Sequence, residues 1–313
     1  MRRAPNPIHF LHFPTTAGTI ILSVALSIAW WSGVDVSILL IDPLITRGQF
    51  QRLVSSALLH ANLLHLLFNL WWIWYLGTLV EQRWGHARAL VLFIYLALGS
   101  GAAEFALLDG SVGLSGIVYG LCGFLWWMSW KDKTLERVLD PQSIVMLLVC
   151  FVMGVILSVA GAVPVANIAH LSGALLGLLA GWTVSQLRRR PEMTLPPICA
   201  VSILLTLATF ARPWINRSPS AGEEEAYRGY HALSLGKDDE ALDYLRDATK
   251  AKPQAPTWWF NLAVAEHRAG NYARASAAYD RAAQLDPANH DYRTARDSMS
   301  TFLTTTAPTT RPS

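Results

Sequence analysis

LLHLLFNLWWIWYLGTLV, residues 63–80, is a nearly continuous apolar run that contains His65 and Asn69 close to its start. A helix needs roughly 17–25 apolar residues to cross the hydrocarbon core of a bilayer, and this run has that length. The two polar residues are four positions apart, so they share one face of the helix. Polar side chains in hydrocarbon are costly unless they face a cavity or each other, and they therefore mark candidate functional positions.

The rest of the chain has the composition of a membrane protein. It is 52% hydrophobic and 15% charged, whereas soluble domains carry about 25% charged residues. The formal charge of +3 gives no indication of a nucleic-acid partner. Six further apolar runs are predicted to span the bilayer: Ala17–Val34, Ala89–Leu108, Leu114–Trp130, Ser143–Val163, Ala166–Leu187 and Leu195–Ala211. The predicted fold is all-α, a six-helix membrane core plus a seventh helix.

Basic residues in the loops predict the orientation of the bundle. Lys and Arg concentrate in cytoplasmic loops, and they follow the second, fourth and sixth runs at Arg83 and Arg88, at Lys131, Lys133 and Arg137, and at Arg188–Arg190. The alternation places the N-terminus in the cytoplasm, with Arg47 and Arg52 in the first outer loop as exceptions. The protein is predicted to be a multi-pass membrane protein.

The C-terminal third changes character and repeats itself every 34 residues. The matching pairs are Gly236 with Gly270, Ala241 with Ala275, Ala248 with Ala282, and Pro253 with Pro287. A helical unit of this period, in which small residues allow close pairing and proline ends each unit, resembles the tetratricopeptide repeat. We predict an α-solenoid of two repeats and a capping helix at about Asp291–Leu303. The first repeat is degenerate, because Glu225 stands where the second has Trp259.

Spans two, four and six all descend from the outer face, and each carries polar residues at a similar depth. Ser115 is about two residues into span four and His170 about four into span six. At 1.5 Å per residue, these residues, His65 and Asn69 lie within roughly 10 Å of the outer surface. A serine hydroxyl becomes an effective nucleophile when a base takes its proton. The pattern therefore indicates a serine nucleophile and a histidine base, without a matching acid.

Further residues can complete such a site. A tetrahedral intermediate needs fixed donors for its oxyanion, and Asn69, His65 and the Ser115 amide can supply them. Tyr119, one turn after Ser115, is predicted to stack on the His170 ring. Glycines at i+3, i+7 and i+11 from His170 form a small-residue stripe that allows close contact with span four. Glu104, near an outer helix end, is expected to be solvated.

At these motifs the chain resembles the rhomboid intramembrane serine proteases. Gly113-Leu-Ser-Gly116 is similar to their GxSG motif. The HANLLHLLFN segment of residues 60–69 resembles their HxxxxHxxxN motif, and AHLSGALLG at residues 169–177 resembles AHxxGxxxG. Glu81-Gln-Arg83 is similar to their ExR element. The resemblance implies that Ser115 is the nucleophile, His170 the base, and His65 and Asn69 part of the oxyanion site.

The resemblance also gives expectations for the first loop, the seventh span and the repeat domain. The family's WR pair in the first loop appears as Gln51-Arg52, so its tryptophan is missing here. The seventh span resembles a bacterial subgroup with one extra C-terminal helix, and this resemblance implies a multi-pass protein of a bacterial inner membrane. The seventh span would place the repeat domain on the outer side. His60 is expected to be structural, ordering the outer loop.

The predicted organisation has five parts. They are a cytoplasmic N-terminus at 1–16, the membrane core at 17–190, a seventh helix and linker at 191–221, the repeat domain at 222–303 and a disordered tail at 304–313. Predicted partners are transmembrane protein substrates, the lipid bilayer and a protein or peptide on the repeats. No cofactor or metal is expected, because no CxxC motif or metal-ligand spacing occurs.

Two other function classes remain open at this point. A rhomboid-like scaffold would bind client transmembrane helices without cleaving them, but it has no need of both Ser115 and His170. A transporter or channel needs polar residues through the full depth of the bilayer, whereas here they stop in the outer half.

Overall fold

A computed structural model shows a chain divided into two compact units, residues 1–217 and 218–313. The structure describes residues 7–42, 45–46, 48–108, 110–135, 138–160, 165–187, 194–215 and 222–306. Within these ranges every regular element is a helix, which confirms the all-α prediction.

The described part of the first unit contains seven long helices, one for each predicted span. They are α1 (Pro14–Trp31), α2 (Leu63–Trp84), α3 (His86–Leu107), α4 (Ser115–Ser129), α5 (Pro141–Val159), α6 (Asn167–Gln186) and α7 (Leu195–Phe210). Five of them, α1, α2, α3, α5 and α6, are long and apolar enough to cross a membrane. The protein is therefore a multi-pass membrane protein.

Helix α2 changes its winding in the middle. Its residues Ile73–Gly77 form a π-helical turn between the α-helical segments Leu63–Trp72 and Thr78–Trp84. A π turn accommodates one extra residue and so rotates one half of the helix relative to the other. Asn69 and Glu81 are twelve positions apart, about 120° in a regular α-helix, and the inserted residue brings them close to one face.

The C-terminal end of α2 is joined to α1 and α3 through the buried carboxylate of Glu81. It accepts hydrogen bonds from the backbone N–H groups of Thr15 at 2.8 Å and Thr16 at 2.9 Å, and it lies 2.7 Å from His86 Nδ1. The N–H groups of a first helical turn have no intrahelical acceptors. The Glu81 carboxylate supplies these acceptors at the start of α1 and so anchors that helix to the bundle.

Helix α4 is the central helix and packs on α6 at very short range. A Cβ at Gly177 of α6 would overlap the Gly120 carbonyl oxygen of α4, and a Cβ at Gly173 would overlap the Gly116 carbonyl oxygen. Small residues allow this approach, which the glycine stripe predicts. Helix α4 has 15 residues, about 22 Å at 1.5 Å per residue, so it is shorter than the hydrocarbon core.

Helix α7 packs along α3, and Arg212 in the short turn after α7 binds the end of α3. The Arg212 guanidinium donates to the carbonyl oxygens of Phe105 and Leu108 and lies 4.3 Å from the centre of the Phe105 ring. A cation at a helix C-terminus satisfies carbonyl groups and complements the helix dipole. Arg212 is 5% exposed, so its charge interacts with groups inside the bundle rather than with solvent.

The second unit is a stack of helical pairs. Its helices are α8 (Glu223–Ser234), α9 (Asp238–Ala251), α10 (Pro256–Arg268), α11 (Tyr272–Leu285) and the capping helix α12 (His290–Thr306). Gly236 and Gly270 have φ of 71° and 77° in the turns within the two pairs. Ala241 and Ala275 are fully buried. The repeat therefore has the predicted period and packing.

Several sequence features lie outside the described residues. They include Arg188–Arg190 after the sixth span, most of the connection 161–166, the segment 216–221 and all but the start of the predicted tail 304–313.

Candidate active site

Ser115 is the first residue of α4, and the turn before it is tightly constrained. Gly113 has a φ of 108°, which L-residues rarely adopt, and a Cβ there would lie 2.6 Å from Cε1 of His65. The Leu114 N–H donates a hydrogen bond to His60 Nε2 at 3.3 Å. Ser115 is thus held at a helix N-terminus, where backbone N–H groups lack intrahelical acceptors.

His170 lies in the first turn of α6, and its ring reaches the serine. Its Nε2 is 2.8 Å from the Ser115 Oγ, a distance suited to proton transfer between a nucleophile and a base. Its Nδ1 is buried and has no hydrogen-bond partner among the residues that the structure describes. Among those residues, the Ser115 hydroxyl is thus the hydrogen-bond partner of the His170 ring.

The Tyr119 ring supports the imidazole of His170 from α4. The two rings are 4.7 Å apart and 24° from parallel, the stacking that the one-turn spacing predicts. The Tyr119 hydroxyl donates to the Leu147 carbonyl of α5 at 2.9 Å. Phe151 of α5 lies 6.5 Å from the His170 ring. Tyr119 therefore links the histidine to both α4 and α5.

His65 and Asn69 lie on the inward face of α2. His65 adjoins Gly113, two positions before the serine, and its backbone N–H is capped by the Asn62 side chain at 2.9 Å. Asn69 is 1% exposed, and its Nδ2 donates to the His65 carbonyl at 2.9 Å. An amide nitrogen carries a second N–H. The structure thus brings α2, α4 and α6 together around Ser115.

Comparisons with known proteins find matches in both units of the chain. A rhomboid-domain family model matches residues 47–187. The chain contains a rhomboid domain. A tetratricopeptide-repeat model matches residues 228–290, and the repeats follow the rhomboid domain.

Relatives share the rhomboid domain at moderate identity. The chain is 40% identical over 134 residues to the rhomboid protease GlpG of Yersinia pestis (strain Pestoides F). It is 38% identical over 133 residues to the protein of that name from Serratia proteamaculans (strain 568). Each match covers 42% of this chain and 47% of the relative, so the chain spans about half the length of these relatives.

His60 contributes more to the rhomboid domain than the ordering of an outer loop. It is fully buried, its Nδ1 lies 3.4 Å from the Ser27 Oγ of α1, and its carbonyl accepts from Trp31 Nε1 at 2.9 Å. Burial, aided by nearby His65, lowers the pKa of His60 to about 3. The neutral ring keeps Nε2 as an acceptor for Leu114. Sequence alone cannot reveal a partner 54 positions away.

The expectation that Glu104 is solvated is wrong. It is 2% exposed, and its Oε2 accepts a hydrogen bond from the Ala169 N–H at 2.7 Å. The carboxylate turns inward from the last turns of α3 and meets the N-terminus of α6. Nothing in the local sequence around Glu104 indicates this partner, because the contact depends on how α3 and α6 pack.

The first loop of the rhomboid domain is held by its arginine. Arg52 is 6% exposed, pairs with Asp42 at 2.8 Å, and donates to the carbonyl oxygens of Ser37 at 2.7 Å and Leu40 at 3.0 Å. Gln51 replaces the tryptophan of the family motif, but the arginine half of the pair keeps its internal contacts. The charge of Arg52 is therefore used in contacts within this loop.

A small cavity in the rhomboid domain adjoins Ser115. Its polar lining comes from residues such as Ser56, Ser100 and Ser111, with Gly116 and Ala169 beside them. A polar cavity of this kind suits water. No group of three or more His, Cys, Asp or Glu residues in the described ranges is placed to hold a metal ion.

Proposed function

We propose that this protein is an intramembrane serine endopeptidase that cleaves transmembrane proteins with a Ser115–His170 dyad. The observation that carries the proposal is the 2.8 Å separation of Ser115 Oγ and His170 Nε2 within a membrane-spanning bundle. Its relatives are named rhomboid proteases, and the same residues form the GxSG and AHxxG motifs here.

The proposed reaction begins with proton transfer from the Ser115 hydroxyl to His170 Nε2 as Oγ attacks the carbonyl carbon of the scissile bond. Charge develops on the carbonyl oxygen. We assign its stabilisation to the Ser115 amide, the Asn69 side chain and His65. His170 then protonates the leaving amine, and the acyl-enzyme remains on Ser115. A water molecule, activated by His170, hydrolyses that ester and restores the serine.

The substrate must expose a peptide bond to this shallow site. A helix hides its backbone, so local unwinding near the outer end of the substrate helix is required. Glycine, proline and other poor helix formers lower the free energy of that step. We therefore expect cleavage near the outer membrane face, beside small or helix-breaking residues.

Lateral entry between α2 and α5 fits the packing of α5. Its buried residues are only Ser143, Leu147 and Gly154, whereas many more residues of α3 are buried. The connection between α5 and α6 lies mostly outside the described residues. An engineered crosslink between α2 and α5 should block cleavage of a membrane substrate while a small soluble peptide is still cleaved. Unchanged cleavage of the membrane substrate would exclude this entry route.

The repeat domain is proposed to lie on the outer side of a bacterial inner membrane, with the N-terminus in the cytoplasm. Helix α7 ends where Arg212 binds the end of α3, and α4 begins with Ser115 at this end of the bundle. The chain thus leaves the membrane unit on the side where Ser115 lies. Helical repeats present surfaces for protein or peptide partners. Deletion of residues 222–313 should narrow the substrate range and leave cleavage of a generic reporter intact.

The decisive experiment measures cleavage of a transmembrane reporter by the purified full-length protein in liposomes. Ser115→Ala should abolish cleavage. Ser129→Ala provides a matched control, because Ser129 ends the same helix and its Oγ donates only to the Trp126 carbonyl among its described contacts. Cleavage that survives in Ser115→Ala would exclude the proposed nucleophile. No cleavage by the wild type would favour a scaffold that binds client helices.

A further inference from the structure

Glu104 occupies an unusual place for a carboxylate in a membrane bundle. It lies near the end of α3, is 2% exposed, and accepts the Ala169 N–H on Oε2 at 2.7 Å. Ala169 directly precedes His170. Glu104 is therefore bonded to the backbone next to the residue that we assign as the base, although it belongs to a different helix.

The start of α6 needs such an acceptor. Its N-cap residue is Ala166, which has no side chain able to cap the helix. Backbone N–H groups in a first turn have no intrahelical partners, and the N-terminal end of the helix dipole favours negative charge. The His170 N–H bonds to the Ala166 carbonyl at 3.1 Å. Glu104, which belongs to α3, accepts the hydrogen bond of the Ala169 N–H and so fixes this first turn of α6.

A second anchor of this turn is attached to a more loosely packed helix. Asn167 Nδ2 donates to Ser158 Oγ at 3.0 Å and to the Gly154 carbonyl at 3.4 Å, both on α5. Within an apolar stretch of 18 residues in each helix, only 17% of the residues of α5 are buried, whereas 61% of those of α3 are buried. The hydrogen bond to Glu104 therefore connects the turn that carries His170 to α3, the better-packed of these two helices.

We propose that Glu104 is a positioning residue, which caps α6 from α3 and holds the His170 ring at the reacting distance from Ser115. The inference rests on the proposed peptidase function, because positioning has a kinetic meaning only if this pair reacts. Misplacement of a reacting group by about 1 Å can lower the rate about 100-fold, so a loosened first turn of α6 should have a large kinetic effect.

Glu81 provides a matched control. It is also a buried glutamate, 1% exposed, that accepts first-turn N–H groups, in this case from Thr15 and Thr16 of α1. It lies at the inner end of the bundle and has no described contact with Ser115 or His170. Loss of Glu81 should lower stability, whereas loss of Glu104 should lower the rate of the chemical step.

The experiment compares wild type, Glu104→Ala, Glu104→Gln and Glu81→Ala as full-length proteins in liposomes. The readouts are Tm, kcat and KM for a transmembrane reporter, and the rate at which a fluorophosphonate labels Ser115. In the labelling reaction an O–P bond forms to Ser115 Oγ as the P–F bond breaks, fluoride leaves, and the hydroxyl proton passes to His170 Nε2. The reaction needs the activated serine but no peptide substrate. Ser115→Ala defines the unlabelled background.

Glu104→Ala should lower kcat and the labelling rate about 100-fold with KM within about twofold. Glu104→Gln should recover most of the rate, because its amide oxygen can accept the same N–H. Glu81→Ala should lower Tm and keep kcat per folded molecule within about twofold of wild type. The proposal fails if Glu104→Ala matches wild type, if Gln recovers nothing, or if Glu81→Ala loses as much kcat.

Failure of the peptidase function gives a different result. If wild type is labelled but does not cleave the reporter, the peptidase proposal is overturned, and the labelling rates of the variants still decide the role of Glu104. If wild type is neither labelled nor active, Ser115 is not activated, and both proposals are overturned.

Discussion

His60 Nε2 accepts a hydrogen bond from the backbone N–H of Leu114 at 3.3 Å, 54 positions away in the chain. The bond joins the loop before α2 to the turn that presents Ser115. Because His60 also contacts Ser27 and Trp31 of α1, it connects the first helix to the nucleophile. His60 is thus a positioning residue for Ser115 in the proposed reaction.

Replacing His60 by Leu should weaken both the fold and the site. The buried Leu114 N–H would lose its acceptor, which lowers the free energy of unfolding by about 2 kcal/mol. We also expect kcat to fall by at least about tenfold, because the Ser115 turn is loosened. Ser27→Ala should have a smaller effect, since its contact with His60 is 3.4 Å long. Thermal unfolding and reporter cleavage measure both changes. Equal effects of the two variants would contradict this role.

The pH dependence of stability should also report on His60. Burial, aided by His65, lowers the pKa of His60 to about 3 in the folded protein, whereas an unfolded histidine titrates near 6.5. The unfolded state therefore binds the proton more tightly. The contribution of His60 to stability is complete above about pH 6.5 and is lost as the pH falls toward 3. Between pH 7 and 4, Tm should fall more steeply for wild type than for His60→Leu. Parallel curves would rule out this contribution.

Tyr119 has two functions that substitutions can separate. Its ring stacks on His170 at 4.7 Å, and its hydroxyl donates to Leu147 on α5 at 2.9 Å. Tyr119→Phe keeps the ring and loses one hydrogen bond, so kcat should stay within about threefold of wild type. Tyr119→Ala removes the support of the imidazole and should lower kcat about 100-fold. Steady-state kinetics on the reporter distinguishes them. A Phe variant as impaired as Ala would mean that the link to α5 matters more than stacking.

Sequence reasoning succeeds where one residue type has one dominant role. The apolar runs predict all seven helices, because hydrophobic length decides membrane insertion. The stripe of Gly173 and Gly177 predicts the close packing of α4 and α6, since only glycine tolerates that approach. The 34-residue period predicts the repeats. In each case the signal is local or periodic.

It fails where a contact depends on tertiary packing. Its charge predicts that Glu104 is solvated, but Glu104 is buried and binds a backbone group of α6. Arg212 is also buried and binds backbone groups of α3. The π turn at Ile73–Gly77 is also absent from any sequence expectation. A charged residue near a helix end can face water or bind the terminus of a neighbouring helix. The spacing of charged residues in the sequence does not distinguish these two possibilities.

Gly177 should be among the least replaceable residues of the membrane unit. A Cβ there would overlap the Gly120 carbonyl oxygen, so Gly177→Ala must separate α4 from α6. Overpacking of this kind lowers the free energy of unfolding by about 1–3 kcal/mol, and the separation should also reduce cleavage. Gly18→Ala in α1 is the control, because no atom lies within 4 Å of its Cβ position. Thermal unfolding in detergent compares the two. Similar melting temperatures for both variants would show that α4 and α6 can separate at little cost.

Glu266 should be the main polar determinant of stability in the repeat unit. It is 3% exposed, and its carboxylate binds Arg246 of α9 at 2.8 Å and the Asn271 side chain at 2.8 Å, so it joins both helical pairs. Glu266→Ala would leave Arg246 without this partner, and the free energy of local opening should fall by about 2 kcal/mol. Lys250→Ala is the control, because its pair with Asp247 is exposed on both sides and contributes little. Hydrogen exchange on the full-length protein should show faster exchange in α9 and α10 for Glu266→Ala alone. Unchanged protection there would show that alanine packing, rather than this carboxylate, holds the two repeats together.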